Sequence, residues 1–279
     1  MLNTPVRILS CIFCLFAGIV ILISGYLPYL QDNILNNVSW GLYDRAFWSN
    51  LLVNTNSSLL DTLIIGILVL WLDTRRETKE HIRDRLDAIS DLRYYREADG
   101  PYRIHTHVKK LSELKFYELD LHDCVMDKLK LEKIKFSNAN LHGIHLNDAT
   151  LKLCSFTNVA AQGASLERLK QNGCIIEDSD FSRANFSNAV LTGLTFKNTR
   201  LERTNFESAS LDSVIFYNVN LKNARFFGAS LRSANLRGCT NLTAAQLAQA
   251  ENVDYIILDD TLLNDLKRLV PHMKISRNR

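Results

Sequence analysis

The sequence predicts a mainly β fold, a solenoid that turns a corner every five residues, with helices at both ends of the chain. Two observations predict this fold. Apolar residues recur at every fifth position through the second half of the 279-residue chain, and two apolar runs, the first of them uncharged, lie in its first quarter. The 33 basic and 30 acidic side chains nearly balance, so the overall charge favours no polyanionic partner.

The first apolar run, Ile8 to Ile23, contains no charged residue, and further apolar residues lengthen it to the span of a bilayer. It predicts a transmembrane helix over about residues 6–27. A cleaved secretory signal is the alternative, because Arg7 precedes the apolar core. Residues 24–28 lack the small-x-small pattern of a cleavage site, which favours an uncleaved anchor.

The second run, Leu59 to Leu72, is too short to span a bilayer alone, so the second transmembrane helix is predicted over about residues 51–72. Trp71 has the position of an interfacial aromatic residue. Three basic residues follow it directly: Arg75, Arg76 and Lys79. The positive-inside rule then predicts that both termini and the solenoid lie in the cytoplasm, below a bacterial inner membrane.

An acidic residue falls inside this second span. Asp61 lies about 16 Å from the cytoplasmic end of the apolar run, near the middle of a slab of about 30 Å. Asn54, Ser58 and Asp61 share one helical face. One interpretation is a homo-oligomer whose second helices line a polar seam or pore. The other is a protonated Asp61 bonded to the first helix, or a shallower helix that begins near Ser57.

Between the two runs, aromatic residues recur at helical spacing: Trp40, Tyr43, Phe47 and Trp48. They predict either an amphipathic helix on the outer leaflet or simply the start of the second transmembrane helix. Residues 73–100 are charged and carry a narrow apolar stripe, Ile82, Leu86 and Ile89, which predicts a cytoplasmic helical stalk. The stripe forms a short coiled coil or docks on the next domain, and Gly100 marks the boundary.

From Leu111 to Leu236, 24 of the 26 residues at every fifth position are Leu, Phe, Ile or Met. The positions two residues before each of these are small or apolar, such as Ala139 and Cys154. Neither a helix nor a flat strand keeps both sets inward over such a length. The chain must therefore turn a corner every five residues.

These residues resemble the pentapeptide-repeat family, whose unit reads A-(N/D)-L-x-x, as in Ala139-Asn140-Leu141 and Ala184-Asn185-Phe186. The resemblance implies a right-handed quadrilateral β-helix over residues 101–240, with four pentapeptides per coil. Residues twenty apart then stack inside the coil. The implied core contains Phe116, Phe136, Phe156, Phe181, Phe186, Phe196, Phe206, Phe216 and Phe226.

Two central positions depart from the repeat, Ala161 and Gln171. Because the register resumes in phase, they indicate either a loosened coil or a bulged loop between Ala161 and Gly173. Residues 241–279 predict a C-terminal helical cap and tail with two helices, the second of them amphipathic. This segment caps the last coil or joins two subunits, and capping is favoured because an uncapped end exposes strand backbone.

No catalytic residue, metal site, cofactor or small-molecule substrate is predicted. The chain has no phosphate-binding Gly loop, nucleophile elbow or H-E-x-x-H motif. Cysteines at the small repeat position behave as small hydrophobes, and His122 and His142 alone do not make a metal site. Some members of the family mimic DNA, which requires an acidic rod, but residues 109–240 carry 18 basic against 14 acidic side chains. Interspersed charges also disfavour nucleic-acid binding.

The sequence thus favours a membrane-anchored scaffold whose cytoplasmic β-helix binds an unidentified protein or assembles with copies of itself, without catalysis. We expect a homo-oligomer. The alternative is an oligomeric membrane effector, such as a pore-forming protein of a stress or phage-defence system, in which Asn54, Ser58 and Asp61 act in the bilayer. The two hypotheses differ in what they predict for Asp61.

Overall fold

The structure, a computed structural model, describes residues 4–33, 45–95 and 97–275. The chain divides into two compact units, Met1–Glu77 and Thr78–Arg279. Helix α2 contributes residues to both units, and each unit is described separately below.

The first unit contains helix α1 (Thr4–Asn33) and the first part of helix α2 (Arg45–Leu92). Both begin and end beyond the predicted spans of 6–27 and 51–72. Among the described residues, α2 is the one helix long and apolar enough to cross a membrane. In α1 the apolar stretch is the shorter Phe13–Tyr26.

The predicted outer-leaflet helix between the two runs is only partly visible. Trp40 and Tyr43 lie outside the described residues. Phe47 and Trp48 belong to the first turns of α2, where their rings meet edge to face with centroids 5.5 Å apart. For these two residues, the structure agrees with the alternative in which they start the second helix.

The second unit begins with the end of α2 and helix α3 (Gly100–Glu113), which has Pro101 in its first turn. Ile89 and Leu92 of α2 and Ile104, Val108 and Leu111 of α3 are buried in the same core as the solenoid. The apolar stripe of the predicted stalk therefore docks on the solenoid end. The predicted start of the β-helix at residue 101 is wrong, since α3 occupies these residues, and the first β-bridge is that of Asp120.

The solenoid contains eight short strands: β1 (Lys130–Glu132), β2 (Lys135–Ser137), β3 (Thr150–Lys152), β4 (Ser155–Thr157), β5 (Lys170–Asn172), β6 (Ile175–Glu177), β7 (Thr195–Lys197) and β8 (Ile215–Tyr217). All pair in parallel. They form a three-stranded sheet, β1-β3-β5, and a five-stranded sheet, β2-β4-β6-β7-β8. Single parallel bridges complete the other sides of each coil. The architecture is a mainly β parallel solenoid, as predicted.

Every coil repeats after twenty residues. Phe136 pairs with Phe156, and Phe196 with Phe216. The central residue of each strand points inward, and the residues on either side of it point outward. Backbone groups bond to the neighbouring coil, as in Leu141 N–H to Ala160 O at 2.7 Å. This spacing stacks like positions into ladders that run along the solenoid.

The C-terminal end differs from the predicted boundary at residue 240. Helix α4 (Ala244–Leu247) begins with a capping box formed by Thr243 and Gln246. The chain then returns to the solenoid, where Ser230 bridges Asn252 and Asn235 bridges Ile257, at a spacing of 22 residues. Helix α5 (Asp260–Leu269) follows and buries Leu266. The short helix thus lengthens the last coil instead of ending it.

Candidate functional site

The polar residues singled out on α2 are exposed. This holds for Asn54, Ser58 and Asp61 alike. The contact between the two helices is instead made by Asn56, whose Nδ2 donates to Ser24 Oγ at 2.8 Å. Asp61 makes no hydrogen bond or ion pair with any described residue. The stripe remains available to a partner within the bilayer or in water.

The solenoid interior is filled by side chains. Phe136, Phe156, Phe181, Phe186, Phe196, Phe206, Phe216 and Phe226 are all buried, while Phe116 at the first coil is half-buried against the core. Phe186 and Phe206 stack with ring centroids 5.4 Å apart, and Phe206 and Phe226 with 5.5 Å. Such a core is a packed column, so the chemistry of the solenoid lies on its outer faces.

The irregular coil between Ala161 and Gly173 is not a bulged loop. Gln171 lies in β5 and keeps register with Leu151. Its side chain bonds backbone groups: Nε2 donates to Thr192 O at 2.9 Å, and Oε1 accepts from Cys174 N–H at 3.2 Å. A coil with Gln at a central position therefore stays regular because the amide satisfies backbone groups.

The small side chain of Ala161, the other exception to the repeat, affects the packing of the core. It stacks between Leu141 and Phe181, and a small apolar cavity of about 20 Å³ lies beside these two side chains. All the residues lining this cavity are apolar, so it offers no partner to a water molecule. The defect is one of packing, and we assign it no binding role.

The cysteines of the solenoid occupy the small repeat position, where Cys124, Cys154 and Cys174 are buried and Cys239 is half-buried. Burial raises the pKa of the Cys124 thiol to about 11, although nearby Arg93 opposes the shift, and raises the pKa of Cys239 to about 12. A hydrogen bond with Cys174, together with burial, raises the pKa of Cys154. The same hydrogen bond lowers the pKa of Cys174 to about 7. Thiols of raised pKa are poor nucleophiles, so Cys124, Cys154 and Cys239 suit packing rather than catalysis.

Of the two histidines singled out in the sequence, His122 lies against an acidic residue. His122 Nδ1 contacts Asp120 Oδ1 at 2.7 Å, and Asn140 Nδ2 donates to the same oxygen at 2.9 Å. Arg93 also reaches Asp120, at 3.3 Å. Within the described part of the chain, no group of three His, Cys, Asp or Glu residues is placed to hold a metal ion.

One outer side of the solenoid collects basic residues that are scattered in the sequence. Sheet β1-β3-β5 and the corner residues of positive φ beside it carry six basic side chains and two acidic ones: Lys128, Lys130, Lys133, Lys152, Arg168 and Lys170, with Glu132 and Asp148. We name this set the basic face. Asp127 and Glu167 precede two of these corner residues and lower the net charge of the sheet with its corners to +2. Sequence reasoning missed it because the charges alternate along the chain. Sorting residues by a period of twenty instead of five would have found it.

Both acidic residues of the basic face form ion pairs with basic residues of the same face. Arg168 binds Asp148 through two contacts, Nε to Oδ1 at 2.7 Å and Nη2 to Oδ2 at 3.0 Å. Lys152 pairs with Glu132 at 3.1 Å. The other four lysines, Lys128, Lys130, Lys133 and Lys170, are exposed and form no ion pair with a described carboxylate. The uncompensated charge therefore belongs to these four.

An apolar edge borders the basic face. Leu153 is 50% exposed and adopts φ of +53°, a left-handed conformation that is costly for a leucine. Its side chain lies over Gly173, where an added Cβ would come within 2.8 Å of Leu153 Cδ2. Ile175, on β6 beside this corner, is 52% exposed. Leu153 at the corner and Ile175 on the adjoining sheet thus border the lysines of the basic face.

Comparison with known proteins bears on this fold. The family model for pentapeptide repeats matches residues 134–168, 173–207 and 204–240, in eight copies. No curated protein matches the chain. Among solved structures, the plasmid-mediated fluoroquinolone resistance protein QnrB1, trypsin-treated, is 17% identical, covers 54% of this chain and 96% of its own, and gives a TM-score of 0.27.

Two other solved structures are similar at the same level. A pentapeptide repeat protein from the Arabidopsis thaliana thylakoid lumen is 20% identical, with 52% of this chain and 90% of that chain covered and a TM-score of 0.30. HetL from Nostoc, which is involved in the regulation of heterocyst differentiation, is 16% identical over 56% and 97%, with a TM-score of 0.20. With the five-residue period and the parallel coils described above, the repeat match shows that the solenoid of this chain is a pentapeptide-repeat domain.

Proposed function

We propose that the chain is a membrane-anchored interaction scaffold without catalytic activity, with the solenoid on the cytoplasmic side of a bacterial inner membrane. The observation that carries this proposal is the filled interior: a solid column of stacked side chains offers partners only its rigid outer faces. A protein partner or a second copy of the chain would bind there.

The anchoring part of the proposal is supported by α2. Its apolar residues Ile64, Ile65 and Ile67 are 62%, 59% and 60% exposed, which water would disfavour and lipid would not. Trp71 follows them, with the Arg75 guanidinium 4.1 Å from its ring centroid, an arrangement typical of the membrane interface.

Membrane extraction tests the anchor. We expect the full-length chain to stay with membranes through an alkaline carbonate wash, and Ile64→Lys with Ile67→Lys to release it, because charges at this depth are costly. Tyr217→Lys, an exposed change on β8, serves as the matched control and should leave the chain in the membrane. Release of the unmodified chain would contradict the proposal.

Photo-crosslinking tests the scaffold. A photoreactive residue placed at exposed positions on different sides of the coil, Ile175, Lys222 and Phe227, should trap a protein on one side only. Mass spectrometry then distinguishes a foreign partner from a second copy. Equal and weak trapping at every position would count against a dedicated interaction face.

A second candidate function is an oligomeric membrane effector, favoured by the exposed stripe of Asn54, Ser58 and Asp61 on α2. Since Asn56 already serves the contact with α1, the stripe is available for contacts between copies in a bilayer. In this case Asp61→Leu should abolish growth inhibition on overexpression and dye leakage from reconstituted vesicles. Asp73→Asn, an exposed acid beyond the apolar run, is the control. Unchanged leakage in Asp61→Leu would exclude this role.

A further inference from the structure

We propose that the basic face binds the headgroups of an anionic bilayer, with Leu153 and Ile175 at its edge entering the interfacial layer. The inference rests on the proposed membrane location of the chain. It assigns to one side of the solenoid a function in lipid contact, which leaves the other sides for protein partners.

Charge provides the first step. Lys128, Lys130 and Lys133 project from one coil and Lys170 from the second coil after it. None of them forms an ion pair with a described carboxylate, and two further basic residues surround them. Lys130 and Lys170 both bridge Thr150, on opposite sides of it, so they lie two coils apart, about 10 Å. A flat array of ammonium groups at this spacing suits a plane of lipid phosphates, and each lysine near an anionic surface strengthens attraction about fivefold.

Leu153 provides the second step. A leucine in the left-handed region is uncommon; the equivalent corner holds Lys133 in the preceding coil and Gly173, Gly193 and two serines in the following ones. The strained conformation places half of an aliphatic side chain in water beside the lysines. Local packing gains little from this, whereas an interfacial layer of lipid would accept both Leu153 and Ile175.

The chemistry of the face favours lipid over nucleic acid. Among its residues there is no aromatic ring for base stacking, and its one guanidinium, Arg168, is held by Asp148. A flat sheet side also does not enter a DNA groove as a helix or ribbon does. Point charges with aliphatic neighbours are the pattern of surfaces that bind anionic membranes.

Lysine footprinting on the full-length chain tests the proposal. The chain is reconstituted in nanodiscs of phosphatidylcholine alone or of equal parts phosphatidylcholine and phosphatidylglycerol, and acetylation of each lysine is followed by mass spectrometry. We expect acetylation of Lys130, Lys133 and Lys170 to slow about fivefold or more in the anionic discs. In 1 M NaCl, where the Debye length is about 3 Å, the protection should disappear.

Lys222 is the internal control, because it lies on the side of the coil opposite the basic face and should react equally in both discs. In the variant Lys130→Gln with Lys133→Gln, the protection of Lys170 should be lost, while Lys222→Gln should leave it intact. Equal reactivity of Lys130, Lys133 and Lys170 in both kinds of disc would overturn the proposal. So would protection by an added oligonucleotide without protection by anionic lipid.

The same experiment separates this inference from the anchor. Entry of the chain into discs of either composition tests α2, and the difference between lipids tests the basic face. A chain that stays out of both discs overturns the anchor alone, and the footprint is then measured on that chain with preformed anionic vesicles. Loss of protection there overturns the lipid-binding face as well.

Discussion

Asn198 donates a hydrogen bond from Nδ2 to Asp178 Oδ1 at 2.9 Å, one link of an amide ladder at a corner of the solenoid. Asn218 donates in the same way to Asn198 at 3.0 Å, and Asn158 to Asn138 at 2.6 Å. These residues have positive φ, which Asn tolerates better than most side chains. The side chain of Asp178 has no N–H to donate to Asn158 Oδ1, so the ladder is interrupted between these two residues.

Asp178→Asn should therefore complete the ladder and stabilise the solenoid by about 0.5–1 kcal/mol, measured by urea unfolding. The lost attraction between the exposed Asp178 and Lys197 is smaller than the gain. Asp148→Asn, at an equivalent corner of another side, is the control and should bring no gain, because it breaks the contact with Arg168. A destabilised Asp178→Asn would show that the carboxylate itself supports this corner.

The cavity beside Leu141 and Phe181 predicts a second stabilising change. Ala161→Leu restores the large central residue between Leu141 and Phe181, and we expect a gain of about 1 kcal/mol as apolar contacts fill the space. Ala184→Leu is the matched control. Ala184 is fully buried at the small repeat position, where extra volume should cost about 1–3 kcal/mol. Thermal unfolding of both variants checks the pair, and equal effects would contradict the cavity argument.

Much of this architecture could be predicted because the five-residue period fixes which residues point inward. The same period could not reveal the basic face, since the outward residues follow no pattern. Lys130 and Lys170 come to lie on the same side only because the coils stack every twenty residues. The end of the solenoid was misplaced because α4 adds residues to the last coil while Ser230 still bridges Asn252. The contact partner of α1 was also missed, since Asn56 and Asn54 are equally polar in sequence.

Phe206 stands in the middle of a phenylalanine ladder, stacked between Phe186 and Phe226. Phe206→Ala should destabilise the solenoid by about 3–5 kcal/mol, because it removes a fully buried ring and two stacking contacts. Phe227→Ala is the control, since that ring is 60% exposed, and it should cost less than about 0.5 kcal/mol. Denaturant unfolding distinguishes them, and similar losses would argue against an internal ladder.

Leu153 links stability to the proposed lipid contact. Leu153→Asn should stabilise the solenoid by about 1 kcal/mol, because Asn accepts a positive φ more readily and no buried packing is lost. The same change should weaken protection of Lys133 in anionic nanodiscs. Leu166→Asn, at a buried central position, is the opposite control and should strongly destabilise the fold. A less stable Leu153→Asn would mean that Leu153 serves packing over Gly173.

Stability should fall when the pH drops below about 6.5, through the two histidines of α3. Burial lowers the pKa of His105 and of His107, and positive neighbours add to it: Lys109 for His105, Arg85 and Arg103 for His107. Both pKa values lie below the unfolded value, so the unfolded chain binds more protons as the solution acidifies. The stability that neutral imidazoles provide is therefore complete above pH 6.5 and is lost as the pH falls through the folded pKa.

The contact of Arg85 Nη1 with His107 Nδ1, at 3.5 Å, adds to this loss, because only a neutral imidazole can accept from a guanidinium. We expect the melting temperature to drop more between pH 7.5 and 5.5 in the unmodified chain than in the double variant His105→Gln with His107→Gln. His142→Gln, an exposed change on the solenoid, should keep the full drop. If all three chains lose stability equally, acid sensitivity lies outside α3 and its contact with α2 is not the acid-sensitive element.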